Sequence, residues 1–341
     1  MTSRRRWLSA VLGVAISAVA LLVVANTVDL RETGSILVGA DPLPLVAIVG
    51  IVAVQVTVRA WRWSFLMPHA SDGRRLRVRR LLPPLLVGYL GNAVLPARLG
   101  EPMRAVLAGR RERVGTTEAL GSVLLERLID VATLAVVAFS AALVVSAPGW
   151  ISQVLGVAAL GGIVGMAILV SVGIQPVVAI ADRIGLDRRP ALRSLVGRFA
   201  ASVGGPGRRR AIAISAGVSI GAWLLDAVSF WLAAQAVGVE LAYPAALLIA
   251  GFTVLGTAVP SAPGYVGTFE LAAAAAAGAL GVPPAAAVAM AVVAHVMTLA
   301  PMALGGAASL PIIGTSLAAA AREAEGGTDR PGSTIPSSNV P

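Results

Sequence analysis

A polar segment broken by glycine and proline, residues 91–104, interrupts a chain that is otherwise strongly apolar. Its side chains suited to chemistry are Asn92, Arg98, Glu101 and Arg104. Non-helical backbone at membrane depth is tolerated only where protein or a water-filled cavity satisfies it, so such a segment is a binding-site candidate. Guanidinium groups present forked donors that match phosphate, so the two arginines predict a lipid-phosphate cradle, with Asn92 as a neutral partner. The alternative is that they anchor at the membrane interface and pair with Glu101.

The same segment predicts the start of a helix. Pro102 suits the first helical position, where its missing N–H costs nothing, and Glu101 would then cap the helix. A helix start presents free backbone N–H groups and a partial positive charge, both of which favour an anion. We therefore expect the helix start and the arginines to act on the same phosphate.

A second segment broken by proline and glycine, residues 259–270, loosely repeats the first. Interrupted apolar segments in both halves of a transporter point to its binding site. We therefore assign Gly264, Gly267 and Glu270 to the head-group site, although capping of the following short helix would also explain Glu270. His295, in an apolar stretch without a second histidine nearby, predicts a hydrogen-bonded packing role rather than a ligand or proton relay.

Three charged residues, Glu126, Arg127 and Asp130, fall inside an apolar stretch that predicts a membrane span. Each charge at mid-bilayer costs about 2.5–3.5 kcal/mol on insertion scales, so these groups must pair or line a cavity. One interpretation is a salt-bridge lock between helices, with Arg98 or Arg104 as partner. The other is a lipid or ion pathway.

Asp226 is a lone acid near the middle of another predicted span. An isolated intramembrane acid indicates a functional site by default. The sequence leaves two interpretations open, a proton or counter-ion site and a structural partner for Arg127.

Composition places these residues in an all-α, polytopic helical membrane protein. Apolar residues make up 57% of the 341 residues and charged residues 13%, against about 25% charged in soluble domains. The net charge of +10 comes entirely from arginine, and we assign it to positive-inside loops rather than to nucleic-acid binding. We expect one integral membrane domain over residues 1–320 and a disordered tail over 321–341. The oligomeric state is left open.

The apolar runs predict about seven spans plus two re-entrant or broken helical segments in the cell membrane, with a cytoplasmic N-terminus. We predict that residues 26–43 form an external loop. We also assign Arg59 and Arg62 to the basic loop after the second span. The run over residues 81–97 is short for a crossing, which takes about 20 residues. If it crossed, the strongly basic segment 176–210 would lie outside, so we predict a re-entrant hairpin followed by an interfacial helix. The predicted spans cover residues 7–25, 44–61, 119–147, 151–174, 211–237, 241–259 and 284–313.

No catalytic motif is present. A phosphate-binding P-loop needs a lysine, and this chain has none; HExxH, GxSxG and cysteine–histidine clusters are also absent. We therefore predict that the protein is not an enzyme and carries no metal or cofactor.

Three motifs resemble the transmembrane domain of lysylphosphatidylglycerol synthase and its stand-alone, flippase-like relatives. They are Gly91-Asn92 with Leu95-Pro96-Ala97-Arg98-Leu99-Gly100-Glu101 and Arg104; Glu126-Arg127 with Asp130; and Pro263-Gly264 with Gly267 and Phe269-Glu270. The resemblance covers about residues 7–313 and departs at Gly264-Tyr265, where the family has a glycine pair. It implies movement of an anionic lipid derivative between leaflets, without the separate soluble domain that performs aminoacyl transfer.

The sequence thus predicts a lipid transporter of the flippase type that binds a phospholipid or polyprenyl-phosphate head group, with membrane lipids as partners and no nucleic acid. One alternative is a membrane-embedded transferase that uses a lipid-linked donor. Another is a scaffold subunit for a separate glycosyl- or aminoacyl-transferase.

Overall fold

A computed structural model describes residues 3–69, 73–171 and 207–326, together with positions 179 and 183. The described residues are α-helical apart from short turns, and they contain no strand. The helices are α1 (Ser3–Thr27), α2 (Leu30–Val38), α3 (Pro42–Leu66), α4 (Val78–Val94), α5 (Gly100–Glu112), α6 (Thr116–Val144), α7 (Gly149–Ser171), α8 (Arg208–Ala236), α9 (Tyr243–Gly256), α10 (Thr268–Ala279), α11 (Pro284–Ile313) and α12 (Leu317–Gly326). Two 3₁₀ turns, Pro96–Arg98 and Pro263–Tyr265, mark the two broken segments.

Within the described residues, five helices are long and apolar enough to cross a membrane, namely α3, α6, α7, α8 and α11. A sixth span results if α1 from Val11 onward and α2, which meet at a bend of 91°, form one broken crossing. The chain is therefore an all-α, multi-pass membrane protein. The expected sixth span over 241–259 is only the 14-residue helix α9, about 21 Å long against a hydrocarbon core of about 30 Å.

The predicted external loop over 26–43 is wrong in part, because it contains the helix α2. Asp29 caps that helix by accepting hydrogen bonds from the backbone N–H groups of Arg31 and Glu32, at 2.8 and 3.3 Å. Asp41 caps α3 in the same way, and Pro42 follows at the first helical position, where its fixed φ suits a helix start. These local caps explain why the chain re-enters helix twice within the segment.

The core forms where α3, α6, α8, α9 and α11 pack together. Small residues allow the helices to approach closely, as at α6 and α7, where a Cβ built on Gly162 would lie 2.7 Å from the Cα of Ala132. Fully buried large side chains fill the remaining space, among them Ile48, Trp63, Leu81, Leu125, Leu248 and Met290.

The first broken segment is a helical hairpin, in which α5 folds back along α4. A Cβ on Gly88 would lie 2.9 Å from the carbonyl oxygen of Gly100, and a Cβ on Gly91 would lie 2.9 Å from the Cα of Gly100. The two backbones are therefore in direct contact. The predicted bounds of the hairpin, residues 81–97, are wrong, because residues 78–94 form one helix and the returning arm is α5, which the sequence predicted to be an interfacial helix. The side of the membrane from which it enters stays a prediction, and the basic segment 176–210 lies largely outside the described residues.

The second broken segment packs between α1 and the first. The hydroxyl of Ser17 accepts a hydrogen bond from the backbone N–H of Ala262 at 2.8 Å. Gly264 has a left-handed φ of 71°, and a Cβ there would lie 3.3 Å from the carbonyl oxygen of Ala93 on α4. The two breaks thus meet, which places both sets of predicted site residues near one another.

The start of the C-terminal tail is helical, whereas the sequence predicted it to be disordered. α12 continues to Gly326, six residues into the segment predicted to be disordered, because Ala320 and Ala324 bury against Met103 and Leu107 of α5. Residues 327–341 lie outside the described part of the chain.

Candidate functional site

Six buried or half-buried side chains form a closed ring of ion pairs in which positive and negative groups alternate. In order around the ring they are Arg62, Asp130, Arg127, Glu101, Arg104 and Glu126. The hairpin helix α5 supplies two members, α6 supplies three, and α3 supplies one. The ring carries three positive and three negative charges, so its net charge is zero.

Arg62 lies at the most buried side of the ring. Its Nη2 donates to Glu126 Oε1 at 2.5 Å and to Asp130 Oδ2 at 3.0 Å. Its Nη1 donates to Asp130 Oδ1 and, at 2.7 Å, to the hydroxyl of Ser219 on α8. A buried charge is stable only when it is paired and hydrogen-bonded, and this guanidinium meets both conditions.

Arg104 joins the hairpin to α6. Its Nη1 donates to Glu126 Oε2 at 3.0 Å, while its Nε and Nη2 donate to Glu101 Oε2 at 3.2 and 2.9 Å. The guanidinium also lies 4.9 Å from the centroid of the Trp63 ring, and the residue is 2% exposed. Arg104, which the sequence assigned to phosphate binding, is thus enclosed by ion pairs, as the salt-bridge lock required.

One edge of the ring is open. Arg127 donates through Nη2 to Glu101 Oε1, and its side chain is 40% exposed, whereas that of Glu101 is 19% exposed. The amide of Asn92 also donates to Glu101 Oε1, at 3.4 Å. Burial alone would raise the pKa of Glu101, but Arg127 and Arg104 outweigh it and lower that pKa to about 2. Glu101 is therefore ionised at neutral pH.

The predicted capping role of Glu101 is wrong. α5 begins at Gly100, two residues before Pro102, and no side chain caps it. The carboxylate binds two guanidinium groups instead, because charge-assisted hydrogen bonds are stronger than those to a neutral N–H.

Arg59 pairs with Asp226 beside the ring. Their side chains are 10% and 16% exposed, and the Arg59 guanidinium lies 5.0 Å from the centroid of the Trp223 ring. The suggestion that Asp226 is a structural partner for Arg127 is therefore wrong, since its partner is on α3. Adding this pair leaves four arginines and four carboxylates, and the whole cluster stays neutral.

The assignment of Arg59 and Arg62 to a loop is also wrong, because α3 runs to Leu66 and buries both. A signal for this was present in the sequence. Gln55, Arg59 and Arg62 follow the spacing i, i+4, i+7 and so share one face of a helix. The intramembrane acids also outnumbered the intramembrane arginines, so partners had to come from elsewhere.

Arg98 links the two broken segments. It is exposed, donates through Nη2 to the backbone carbonyl of Thr257, and lies 5.3 Å from the centroid of the Tyr265 ring. Burial raises the pKa of Tyr265, and the positive charges of Arg98 and Arg127 act to lower it. Among the described residues, no carboxylate lies within ion-pair distance of Arg98.

His295 fixes the second break. Its Nδ1 lies 2.5 Å from Glu270 Oε1, its Nε2 lies 2.7 Å from the carbonyl oxygen of Gly264, and its ring stacks on Phe269 at 4.2 Å. Glu270 Oε2 accepts from the backbone N–H of Gly267 at 2.7 Å. The predicted packing role of the histidine is confirmed, and the glutamate both caps α10 and holds the histidine.

These observations define a multi-pass α-helical membrane protein with a neutral ion-pair ring next to two interrupted helices. The family described as "Lysylphosphatidylglycerol synthase TM region" matches residues 10–306, and the chain belongs to this family. The resemblance seen in the sequence is therefore confirmed.

The chain is also similar to "Glycosyltransferase AglD" of Haloferax volcanii. The two are 28% identical over 362 aligned residues, which cover 95% of this chain and 58% of that protein. The chain thus spans less than two thirds of the length of this relative. Because the relative bears the name of an enzyme, the expectation that this chain is not one stays a prediction.

Proposed function

We propose that the protein binds the phosphate of an anionic lipid at the junction of the two broken segments and moves that lipid between the leaflets. Family membership supports a role connected with membrane lipids. The observation that carries the proposal is the pair of accessible guanidinium groups of Arg98, which lies 5.3 Å from the centroid of the Tyr265 ring, and of Arg127, whose charge also acts on the Tyr265 hydroxyl. Two forked cations near one another match the geometry of a phosphate.

The surroundings of Arg127 favour a lipid over a free phosphate. Leu124, Leu128 and Val131 lie on the same face of α6, at helical spacing from Arg127, and are 45–53% exposed. An apolar stripe that carries one guanidinium suits acyl chains beside a phosphate. We propose that the acyl chains lie along this stripe while the head group contacts the arginines.

Arg104 takes a different role in this proposal from the one the sequence suggested. In this proposal, Arg104 connects the hairpin to α6 through its ion pair with Glu126. Arg62 pairs with Glu126 and Asp130 and completes the buried side of the ring. Asn92 and Gly264 shape the junction, and Gly267 and Glu270 secure the turn through His295. We place the N-terminus and the hairpin entrance on the cytoplasmic side, following the positive-inside rule.

A flipping assay tests the proposal. The purified chain is reconstituted into vesicles that contain fluorescent phosphatidylglycerol, phosphatidylcholine or a polyprenyl phosphate, and a membrane-impermeant quencher reports the accessible leaflet. We expect transfer of at least one phosphate lipid, and at least a tenfold loss of its rate in Arg98→Gln and Arg127→Gln. Arg110→Gln is the matched control, since it removes an exposed arginine of α5 that pairs with Glu323. Equal rates in all variants would exclude the junction as the site.

A second candidate function follows from the name of the relative, a glycosyltransferase. The chain would then act on, or assemble with an enzyme that acts on, a lipid-linked sugar donor. Incubation of the purified protein with a polyprenyl-phosphate sugar and mass spectrometry of the products distinguishes the two. Release or transfer of the sugar by the chain alone would favour the transferase, whereas intact donor together with flipping would favour the transporter.

A further inference from the structure

The ring is accessible from outside the protein at one edge. The side chains of Arg62, Arg104, Glu126 and Asp130 are 1–4% exposed, whereas those of Arg127 and Glu101 are 40% and 19% exposed. Among these six side chains, the two that an incoming anion can contact most readily are therefore Arg127 and Glu101.

Glu101 occupies this edge in the way a bound anion would. Its Oε1 accepts from Arg127 and from the amide of Asn92, and its Oε2 accepts from Nε and Nη2 of Arg104. These contacts use the forked guanidinium donors that recognise phosphate. A lipid phosphate on Arg127 must therefore compete with a carboxylate that belongs to the protein.

We propose that Glu101 is an internal competitor for the lipid phosphate, so that head-group binding replaces the ion pair between Glu101 and Arg127. This inference rests on the proposed function, because it names the step by which that same site accepts its ligand. The displaced carboxylate keeps a partner, since Arg104 holds its other oxygen at 2.9 Å. Arg98 adds the one positive charge that balances a singly charged head group, because the ring itself is neutral.

Native mass spectrometry of the detergent-solubilised protein tests the competition. Phosphatidylglycerol and a polyprenyl phosphate are titrated separately, with phosphatidylcholine as the zwitterionic reference, so that the arms distinguish the two lipid classes. For whichever anionic lipid the unmodified protein binds, we expect Glu101→Gln to lower the dissociation constant about three- to fivefold, as removal of a partly exposed ion-pair partner predicts. Gln keeps the size of the side chain and removes only its charge.

Glu112→Gln is the matched control. Glu112 is also a buried carboxylate of α5, but it pairs with Arg80 at 3.1 Å at the far end of the helix. We expect unchanged lipid affinity in this variant, although its net charge changes equally. A similar gain in both variants would show that net charge, rather than competition at Arg127, sets the affinity, and it would overturn the inference.

Asn92→Asp provides an opposite test that does not depend on recovery of folded Glu101→Gln. It adds a second carboxylate at the same edge, so we expect affinity to fall about threefold. Unchanged affinity in Asn92→Asp or in folded Glu101→Gln, with binding still lost in Arg127→Gln, would overturn the competition and leave the proposed function standing. Binding that survives Arg98→Gln and Arg127→Gln would overturn both.

Discussion

Replacement of Arg62 by glutamine tests whether the ring acts as one charge-balanced unit. Breaking a buried ion pair by removing one partner costs about 3–5 kcal/mol, because it leaves an uncompensated charge. Glu126 would keep Arg104 at 3.0 Å. Asp130 would keep only the hydroxyl of Ser219 at 3.3 Å and the more distant Arg127 at 3.9 Å. The loss of stability should therefore arise chiefly from Asp130.

The double variant Arg62→Gln/Asp130→Asn should lose less stability than the sum of the losses in its two single variants. It leaves two positive and two negative groups in the ring, so the buried charge is balanced again. Residues in one ion-pair network typically show coupling energies of about 0.5–3 kcal/mol. We therefore expect the loss of stability in the double variant to be about 0.5–3 kcal/mol smaller than the sum of the losses in Arg62→Gln and Asp130→Asn.

The free energy of unfolding is measured by denaturant titration of the purified protein in mixed micelles, with tryptophan fluorescence as the signal. Arg110→Gln is the control, because Arg110 and its partner Glu323 are 62% and 33% exposed and form a surface ion pair. We expect this control to lose less than about 1 kcal/mol. If the double variant were as unstable as the sum of the two single variants, the ring would not be a balanced unit and the reasoning would be refuted.

Two further predictions concern the broken segments. Gly100→Ala should destabilise the hairpin by about 3 kcal/mol or more, because the added Cβ would clash with the carbonyl oxygen of Gly88. Gly34→Ala should be tolerated, because a Cβ there meets nothing within 4 Å. Thermal unfolding in detergent compares the two variants, and equal melting temperatures would contradict the close crossing of α4 and α5. Glu270→Gln should lower the free energy of unfolding by less than about 1 kcal/mol, because an amide can still accept from the Gly267 N–H and donate to His295. Glu270→Leu removes both hydrogen bonds and should lower it by about 1–3 kcal/mol. Thermal unfolding in detergent checks this, and equal losses in the two variants would contradict it.

The sequence predicted the class of fold because long apolar helices have a strong compositional signal. It also identified Glu126, Asp130 and Asp226 as side chains that needed partners, since unpaired charge at membrane depth is costly. The partners on α3 were missed because Arg59 and Arg62 lie at the end of an apolar run, where positive charge usually marks a loop. Their shared helical face with Gln55 was the available signal, and the packing of α3 against α6 and α8 shows that both arginines are buried.

The short elements were harder to predict than the long ones. α2 and α12 are nine and ten residues long, and helices of this length depend on local caps and on tertiary contacts more than on periodicity. Arg104 shows the same limit in the site. Its residue type suits phosphate binding, but the structure places it beside Trp63 and in contact with two carboxylates, which residue type alone could not predict.

Neutrality of the ring has a consequence for the movement of a charged head group. Buried ion pairs add little net stability compared with well-packed apolar residues, so apolar side chains could hold these three helices together at least as well as six charged ones. It does, however, provide arginines that always have an anion within reach. If a phosphate replaces Glu101 on Arg127, the number of ion pairs in the ring stays constant, because Glu101 remains bound to Arg104, and Arg98 balances the charge that the phosphate adds. Exchange of one anion for another avoids the unpaired buried charge that would otherwise oppose entry of the head group, and the single accessible edge fixes where that exchange begins.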